Sequence, residues 1–288
     1  MIEKYKIEWI SSIDSKNNQK LAQLSEKMSA YYTTNTVYYS DISDSEFLWT
    51  DSSYLTHRKI LERARVSETI LEIGCGESPI LKFNPELMSK YSGIDFSPNI
   101  IANNQKRFKE ATFKTIENPT EYNYPDGHFD LIFSVFVLEH TVYPKKFLDE
   151  CIRMLKPGGE IIVLAPSYLD NGFLPSQQFA EGLKSGRELL KKGRLISALR
   201  AALYNKLLIP RMCKKLANKI PGFYININPL CFKTQEFKPD VDAVYVVSAK
   251  EIEMYMAENK FIQVDNEVDL NEFIRDRKLC FQIFKEIK

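Results

Sequence analysis

The chain has few of the residues that staple a fold or hold a metal: 3 histidines and 5 cysteines in 288 residues. Cys75, Cys151, Cys213, Cys231 and Cys280 are odd in number, widely scattered and form no C-x-x-C pair. A structural zinc site and a disulfide framework are therefore not expected, and the composition fits a reducing, cytoplasmic setting. Long apolar runs are also missing. The longest, Leu131–Leu138, is broken by Ser134 and falls far short of the roughly 20 residues of a membrane-spanning helix. The start, MIEKYKIEWISS, mixes charges with apolar residues and has no signal-peptide pattern. Neither sign of charge dominates: Lys plus Arg is 39, Asp plus Glu is 38, and the net charge is +1. A uniformly basic nucleic-acid coat and an acidic disordered chain are both excluded. What remains is ordinary globular protein, 44% hydrophobic and 27% charged, of a length that suits one large domain with an elaboration.

Residues 1–66 are polar and read as a helical N-terminal segment, with helices at Lys20–Tyr32 and Ser53–Arg65 and a Tyr-rich loop, Tyr38–Asp51, between them. Residues 67–165 have a different rhythm. Thr69–Ile73, Tyr91–Asp95, Thr112–Ile116, Phe129–Phe133 and Glu160–Ala165 are short apolar runs with the signature of buried strands. Ser97-Pro98 caps and opens a helix to about Lys109. Pro144–Leu155 repeats its apolar residues at helical spacing and stops at Lys156-Pro157-Gly158-Gly159, a turn into the fifth strand. Strands apolar along their whole length and alternating with helices predict a doubly wound, Rossmann-like α/β fold around a mostly parallel seven-stranded sheet. Residues 166–247 interrupt this pattern as a basic insertion. Residues 248–288 complete the core, with a helix at Ser248–Asn259 and strands at Phe261–Val264 and Lys278–Phe284.

Two features carry chemistry. Glu72-Ile73-Gly74-Cys75-Gly76-Glu77-Ser78 closes the first of these strands, where glycines let a ligand approach the backbone and its amides. Asp95 ends the second strand, 21 residues after Gly74, where a carboxylate can accept both hydroxyls of a ribose. A dinucleotide site needs a third glycine, but that position is Pro79, and the acidic Glu72 suits a cation better than a pyrophosphate. The Walker A pattern is absent.

The segments LEIGCGES, GIDFSP, YPDGHFDLIFS, VLEH and RMLKPGGEIIV, in this order and spacing, resemble the class I S-adenosylmethionine-dependent methyltransferases of the ubiquinone-biosynthesis branch. The likeness covers roughly Glu68–Pro166, with an echo in Glu251–Phe261. It implies S-adenosyl-L-methionine as cofactor, S-adenosyl-L-homocysteine as product, and a set of site residues. Gly74, Cys75 and Gly76 would form the cofactor loop, with Glu72 near the methionine amino group. Asp95, followed by Phe96, would hold the ribose. Phe133 and Ser134 would lie beneath the methionine part. Asn118, or Glu117 if the register slips by one, would accept from the adenine amino group. Ser78 replaces the family's third glycine, and Pro119 removes a backbone N–H usually offered to the adenine ring. His140, in Leu138-Glu139-His140, would stand at the rim as a base for an attacking hydroxyl, or as a capping and packing residue. Phe136 occupies the place of a Glu that can assist a metal in such relatives, so no metal is expected.

The resemblance leaves the acceptor open. No Asn/Asp-Pro-Pro-aromatic motif follows the fourth strand and no Pro-Cys pair occurs, so exocyclic amines and pyrimidine C5 give way to an oxygen nucleophile. Lys184–Lys219 holds eleven Lys/Arg and one acid, Glu188, a local charge of +10 that leaves −9 for the rest. Leu195, Leu199, Leu203 and Leu207 recur at helical spacing, which predicts a helix up to Pro210. This segment reads as a cap on the core or a second subunit, as a contact for an anionic membrane, glycan or lipid-linked acceptor, or as a less favoured RNA site. Tyr224–Phe232 and Asp240–Val247 weakly resemble methyltransferases of surface-polysaccharide gene clusters, which favours a sugar or lipid-linked hydroxyl. A homodimer and a catalytically silent cofactor-binding protein stay compatible with the sequence. Tyr31, Tyr32, Tyr38, Tyr39 and Tyr54 suggest a substrate lid.

Overall fold

The computed structural model of the protein describes residues 8–34, 46–175, 186–232 and 241–287. The chain begins with β1 (Trp9–Ser11), α1 (Asn18–Thr34), α2 (Glu46–Thr50) and α3 (Leu55–Val66). The repeating core follows as β2 (Ile70–Ile73), α4 (Pro79–Phe83), β3 (Tyr91–Asp95), α5 (Pro98–Arg107), β4 (Thr112–Thr115), β5 (Phe129–Val135), α6 (Pro144–Met154) and β6 (Leu155–Pro166). Beyond it come α7 (Gly186–Lys191), α8 (Leu195–Leu203), α9 (Ile209–Ala217), β7 (Tyr224–Asn226), α10 (Ala249–Glu258), β8 (Phe261–Gln263), α11 (Val268–Arg277) and β9 (Leu279–Glu286).

Seven strands form one sheet in the order β4-β3-β2-β5-β6-β9-β8. The pairs from β4 to β6 are parallel, and β9 runs antiparallel to both of its neighbours. Strands this apolar need cover on both faces. On one face Leu71, Ile73, Ile132 and Val163 pack with α1, α6 and α10; on the other Ile70, Leu131, Phe133 and Ile162 pack with α3, α4 and α5. β2 pairs with β3 on one side and β5 on the other. The strand order reverses there, which opens a crevice at the carboxyl ends of these strands.

Several expectations shift. Glu46–Thr50, within the expected Tyr-rich loop, is helical; Tyr38 and Tyr39 lie outside the described residues. The fifth core strand starts at Leu155, because the chain stays paired with β5 through a register shift between Phe129 and Leu131, with Gly158 at φ +83. The leucine-spaced helix does not end at Pro210. It passes through a π-turn, Tyr204–Leu208, and resumes as α9 with Pro210 in the first turn, where a missing N–H is harmless.

The N-terminal segment and the insertion are joined. β1 pairs antiparallel with β7, from Trp9↔Asn226 to Ser11↔Tyr224. Leu21, Leu24 and Met28 of α1 share one core with Tyr168, Ile209, Ile225 and Tyr245 of the insertion. Of this joined body, the cap, α1 lines the crevice.

Candidate functional site

The loop after β2 is set by sterics. Gly74 has φ +71, and its N–H donates to Ile94 O at 2.7 Å, as does that of Cys75 at 3.0 Å. A Cβ on Gly74 would lie 2.3 Å from Val137 Cγ2, so only glycine fits. Gly76, at φ +49, differs: a Cβ there would meet nothing within 4 Å. Asn104 fixes the loop from α5, donating to Gly76 O at 2.7 Å and Ser78 Oγ at 3.3 Å. Sequence reasoning missed Asn104; its signal is a polar residue on the apolar side of a helix, fully buried here. The buried Cys75 thiol points at Gly93, and burial pushes its pKa well up, so it serves the loop by shape and not as a nucleophile.

Two buried carboxylates flank the loop. Asp95 accepts from Gly76 N at 3.0 Å and Ser97 N at 2.9 Å, which ties the ends of β2 and β3 together. The carboxylate is buried at the strand end beside the loop. Glu72 accepts from the Tyr91 hydroxyl. Burial raises its pKa to about 8, the Tyr91 hydrogen bond opposes that rise, and the nearby Asp95 charge adds to it. A cation docking here would favour the ionised carboxylate. An open glycine backbone beside one such acid and one hydroxyl-accepting acid is a cradle that fits a cationic nucleoside.

A cavity of about 460 Å³ runs from this loop to the cap. Its core wall is Ile73, Gly74, Phe96, Ile116, Glu117, Pro119, Tyr122 and Val137; its cap wall is α1, including Met28, Ser29, Tyr32 and Thr33. Glu117 is on the wall, whereas Asn118 Oδ1 accepts from the N–H and hydroxyl of Thr120 at 2.9 and 2.8 Å. Phe133 is turned into the opposite core layer with Ile162, and Ser134 is buried beside it, so neither side chain is on the wall. Val137, two residues beyond β5, takes that place.

Known proteins resemble the core of this chain. Residues 71–163 match a family model described as a methyltransferase domain. A Mycolicibacterium smegmatis protein named as a probable S-adenosylmethionine-dependent methyltransferase is 25% identical over 122 residues, which are 42% of this chain and 47% of that one. Demethylmenaquinone methyltransferase of Tropheryma whipplei is 33% identical over 99 residues, 33% of this chain and 41% of the relative. The chain thus spans less than half the length of both curated relatives. In fold, it superposes on the methyltransferase complexed with the Haloferax volcanii activator Trm112 with a TM-score of 0.51 at 13% identity, covering 88% of this chain and 99% of that one. The core is an S-adenosylmethionine-dependent methyltransferase domain.

The cavity of this methyltransferase domain also reaches the turn after β5. His140 lines the cavity in the 3-10 turn after β5, with 15% of its side chain exposed. Its Nδ1 is 3.3 Å from Asp242 Oδ2, and its Nε2 is 3.8 Å from Glu139 Oε1. Asp242 comes from the insertion and is fully buried; the Tyr32 hydroxyl of α1 donates to the same Oδ2 at 2.8 Å. The turn is pinned from the insertion as well, since Val244 N and Tyr245 N both donate to Glu139 O, at 2.8 and 2.9 Å. Asp242 was not among the expected site residues. Of the expected lid tyrosines, Tyr32 reaches the cavity, while Tyr54 packs elsewhere, against His57 and Phe273.

Proposed function

We propose that the protein is an O-methyltransferase that places a small, glycan or lipid-linked hydroxyl at His140 and the cofactor on the glycine loop. The observation that carries this reading is one cavity whose lining includes Gly74, Glu117 and His140. When bound, S-adenosylmethionine supplies a methyl group activated by a sulfonium. The chain supplies position and proton handling. Asp95 accepts from the ribose hydroxyls, and the Gly74–Gly76 backbone lets the ligand approach. Glu72 would offset the positive charge, and Phe96 would line the cavity beside the cofactor. Glu117 is better placed than Asn118 for the adenine amino group, because Thr120 already occupies the Asn118 carbonyl. Phe133 and Ser134 contribute backbone only.

At the acceptor end, the Asp242 carboxylate, 3.3 Å from Nδ1, orients the imidazole so that Nε2 can serve as the proton acceptor. With the cofactor bound, the acceptor hydroxyl would give its proton to His140 Nε2 as the methyl group left the sulfonium for the oxygen, with S-adenosylhomocysteine as the leaving group. Asp242 faces the charge this creates on the ring. Asp242 acts only through His140 and is a positioning residue.

A radiolabelled-methyl assay against lipid, glycan and RNA fractions identifies the acceptor. His140→Ala should keep the Kd for S-adenosylhomocysteine by calorimetry while turnover drops about a hundredfold or more. Full turnover in that variant removes the base role. Label in the RNA fraction alone overturns the acceptor class.

A further inference from the structure

The cap presents a surface that the cavity does not use. The inner side of α8 is small: Ala198 and Ala201 pack on Leu189 of α7, all three buried. Its outer side is large and bare. Leu195, Ile196, Leu199 and Leu203 are 60%, 69%, 65% and 53% exposed. Their spacing puts all four on one side of the helix, and Leu190 of α7 adds to the patch at 52% exposed. Single exposed leucines need no cause, but a stripe of them rimmed by charge marks an interaction site. Here the rim is cationic. Lys191, Lys192, Arg194, Arg200 and Lys206 are exposed around it, and residues 186–219 contain one acid, Glu188. The element is also anchored. Ile209 and Cys213 of α9 are buried in the main core, and the Cys213 thiol contacts Phe173 O at 3.6 Å.

We propose that α7–α9 is a docking element for an anionic membrane, with the leucine stripe in the headgroup–acyl boundary and the surrounding cations on lipid phosphates. The element lies on the bilayer and does not span it, since no helix among the described residues is long and apolar enough to cross. Two other occupants fit less well. Single-stranded RNA is held by aromatic stacking, and residues 186–219 contain one aromatic, Tyr204. A second copy related by a two-fold would bring two strongly cationic faces together. Docking would deliver the cap to acceptors whose hydroxyl is lipid-linked. It rests on the acceptor reading above only for that consequence, because the surface itself is defined without the active site.

The test is co-sedimentation of the full chain with vesicles of phosphatidylcholine alone or mixed equally with phosphatidylglycerol, at low and high salt. The protein should bind the mixed vesicles at low salt, release at high salt, and ignore phosphatidylcholine. L199Q/L203Q and K192Q/R200Q should each lower the partition coefficient about tenfold or more, with S-adenosylhomocysteine affinity and thermal unfolding unchanged. No binding to anionic vesicles at low salt overturns the proposal, as does binding that survives L199Q/L203Q. A dimer dissolved by L199Q/L203Q in a protein that ignores vesicles, or RNA held in preference to vesicles, overturns it too. A chain that docks but does not bind S-adenosylhomocysteine keeps this proposal and removes the methyltransferase reading.

Discussion

From Ile70 to Pro166 the chain covers both faces of its central strands, whereas from Gly186 to Lys206 it leaves one helix face of leucines in solvent. The first region is buried on both faces, by its own helices α4, α5 and α6 and by α1, α3 and α10 from outside it. Its cofactor chemistry is written in backbone: two glycines, a strand end and a capped helix start. The cap works differently. It is assembled from β1, α1 and the insertion, and its functional groups meet across long stretches of chain, as Tyr32 meets Asp242 and Asp242 meets His140. On the proposed function the core binds the cofactor and the composite cap selects the acceptor, a division that mutations can break.

The largest effect is expected at Gly74. Gly74→Ala must relieve a 2.3 Å clash with Val137 at φ +71. It should abolish measurable S-adenosylhomocysteine binding and lower stability by about 2–4 kcal/mol in denaturant titrations. Gly76→Ala has open space and only the backbone penalty of φ +49, roughly 1 kcal/mol. It should fold nearly as well and still bind more weakly. Equal effects at both positions would mean that the two glycines do not have separate roles.

The next effect concerns the core's second layer. His57 of α3 is buried against Trp49, ring centroids 4.8 Å apart, and burial lowers its pKa to about 4 from 6.5. Between those values the unfolded chain takes up a proton that the native one refuses. Stability is then fully present above about pH 6.5 and falls as the pH drops toward 4, by about 3 kcal/mol in total. His57→Phe should flatten that slope in denaturant midpoints measured across the window. An unchanged slope would show that His57 is not the proton acceptor.

Asp95→Asn comes third. It keeps the shape but loses the charge that strengthens hydrogen bonds to a ribose, so S-adenosylhomocysteine affinity should fall about tenfold to a hundredfold by calorimetry. Unchanged affinity would overturn the ribose assignment.

The same division decided what was legible in the sequence. β2, β3 and β5 could be placed because each is a continuous apolar run bounded by glycine, proline or a charged turn. Ser97-Pro98 opened α5 as expected, with Ser97 Oγ accepting from Ile100 N at 3.4 Å. α11 was missed because its apolar positions, Leu270, Phe273 and Ile274, are too few among charged neighbours to define a period. β1 and β7 are three residues each, too short for any alternation, and only their pairing makes them strands. The leucines of α8 were legible as a stripe but not as an exposed one, because periodicity reports that a face is apolar and not what covers it. Asp242 could not be tied to His140 from sequence at all, since no local pattern links residues that meet only when the insertion folds back over the sheet.

The smallest expected effect tests that last contact. Tyr32→Phe removes a hydroxyl that donates to Asp242 Oδ2 at 2.8 Å and leaves the ring in place beside His140. One hydrogen bond to a buried carboxylate is worth about 1–2 kcal/mol, so kcat should fall by roughly fivefold to thirtyfold as Asp242 loses one of its anchors. Because Tyr32 belongs to the cap and not to the glycine loop, the Kd for S-adenosylhomocysteine should hold within about twofold. If that Kd weakens as much as kcat falls, α1 closes on the cofactor as well as on the acceptor, and cap and core are then one binding unit instead of two.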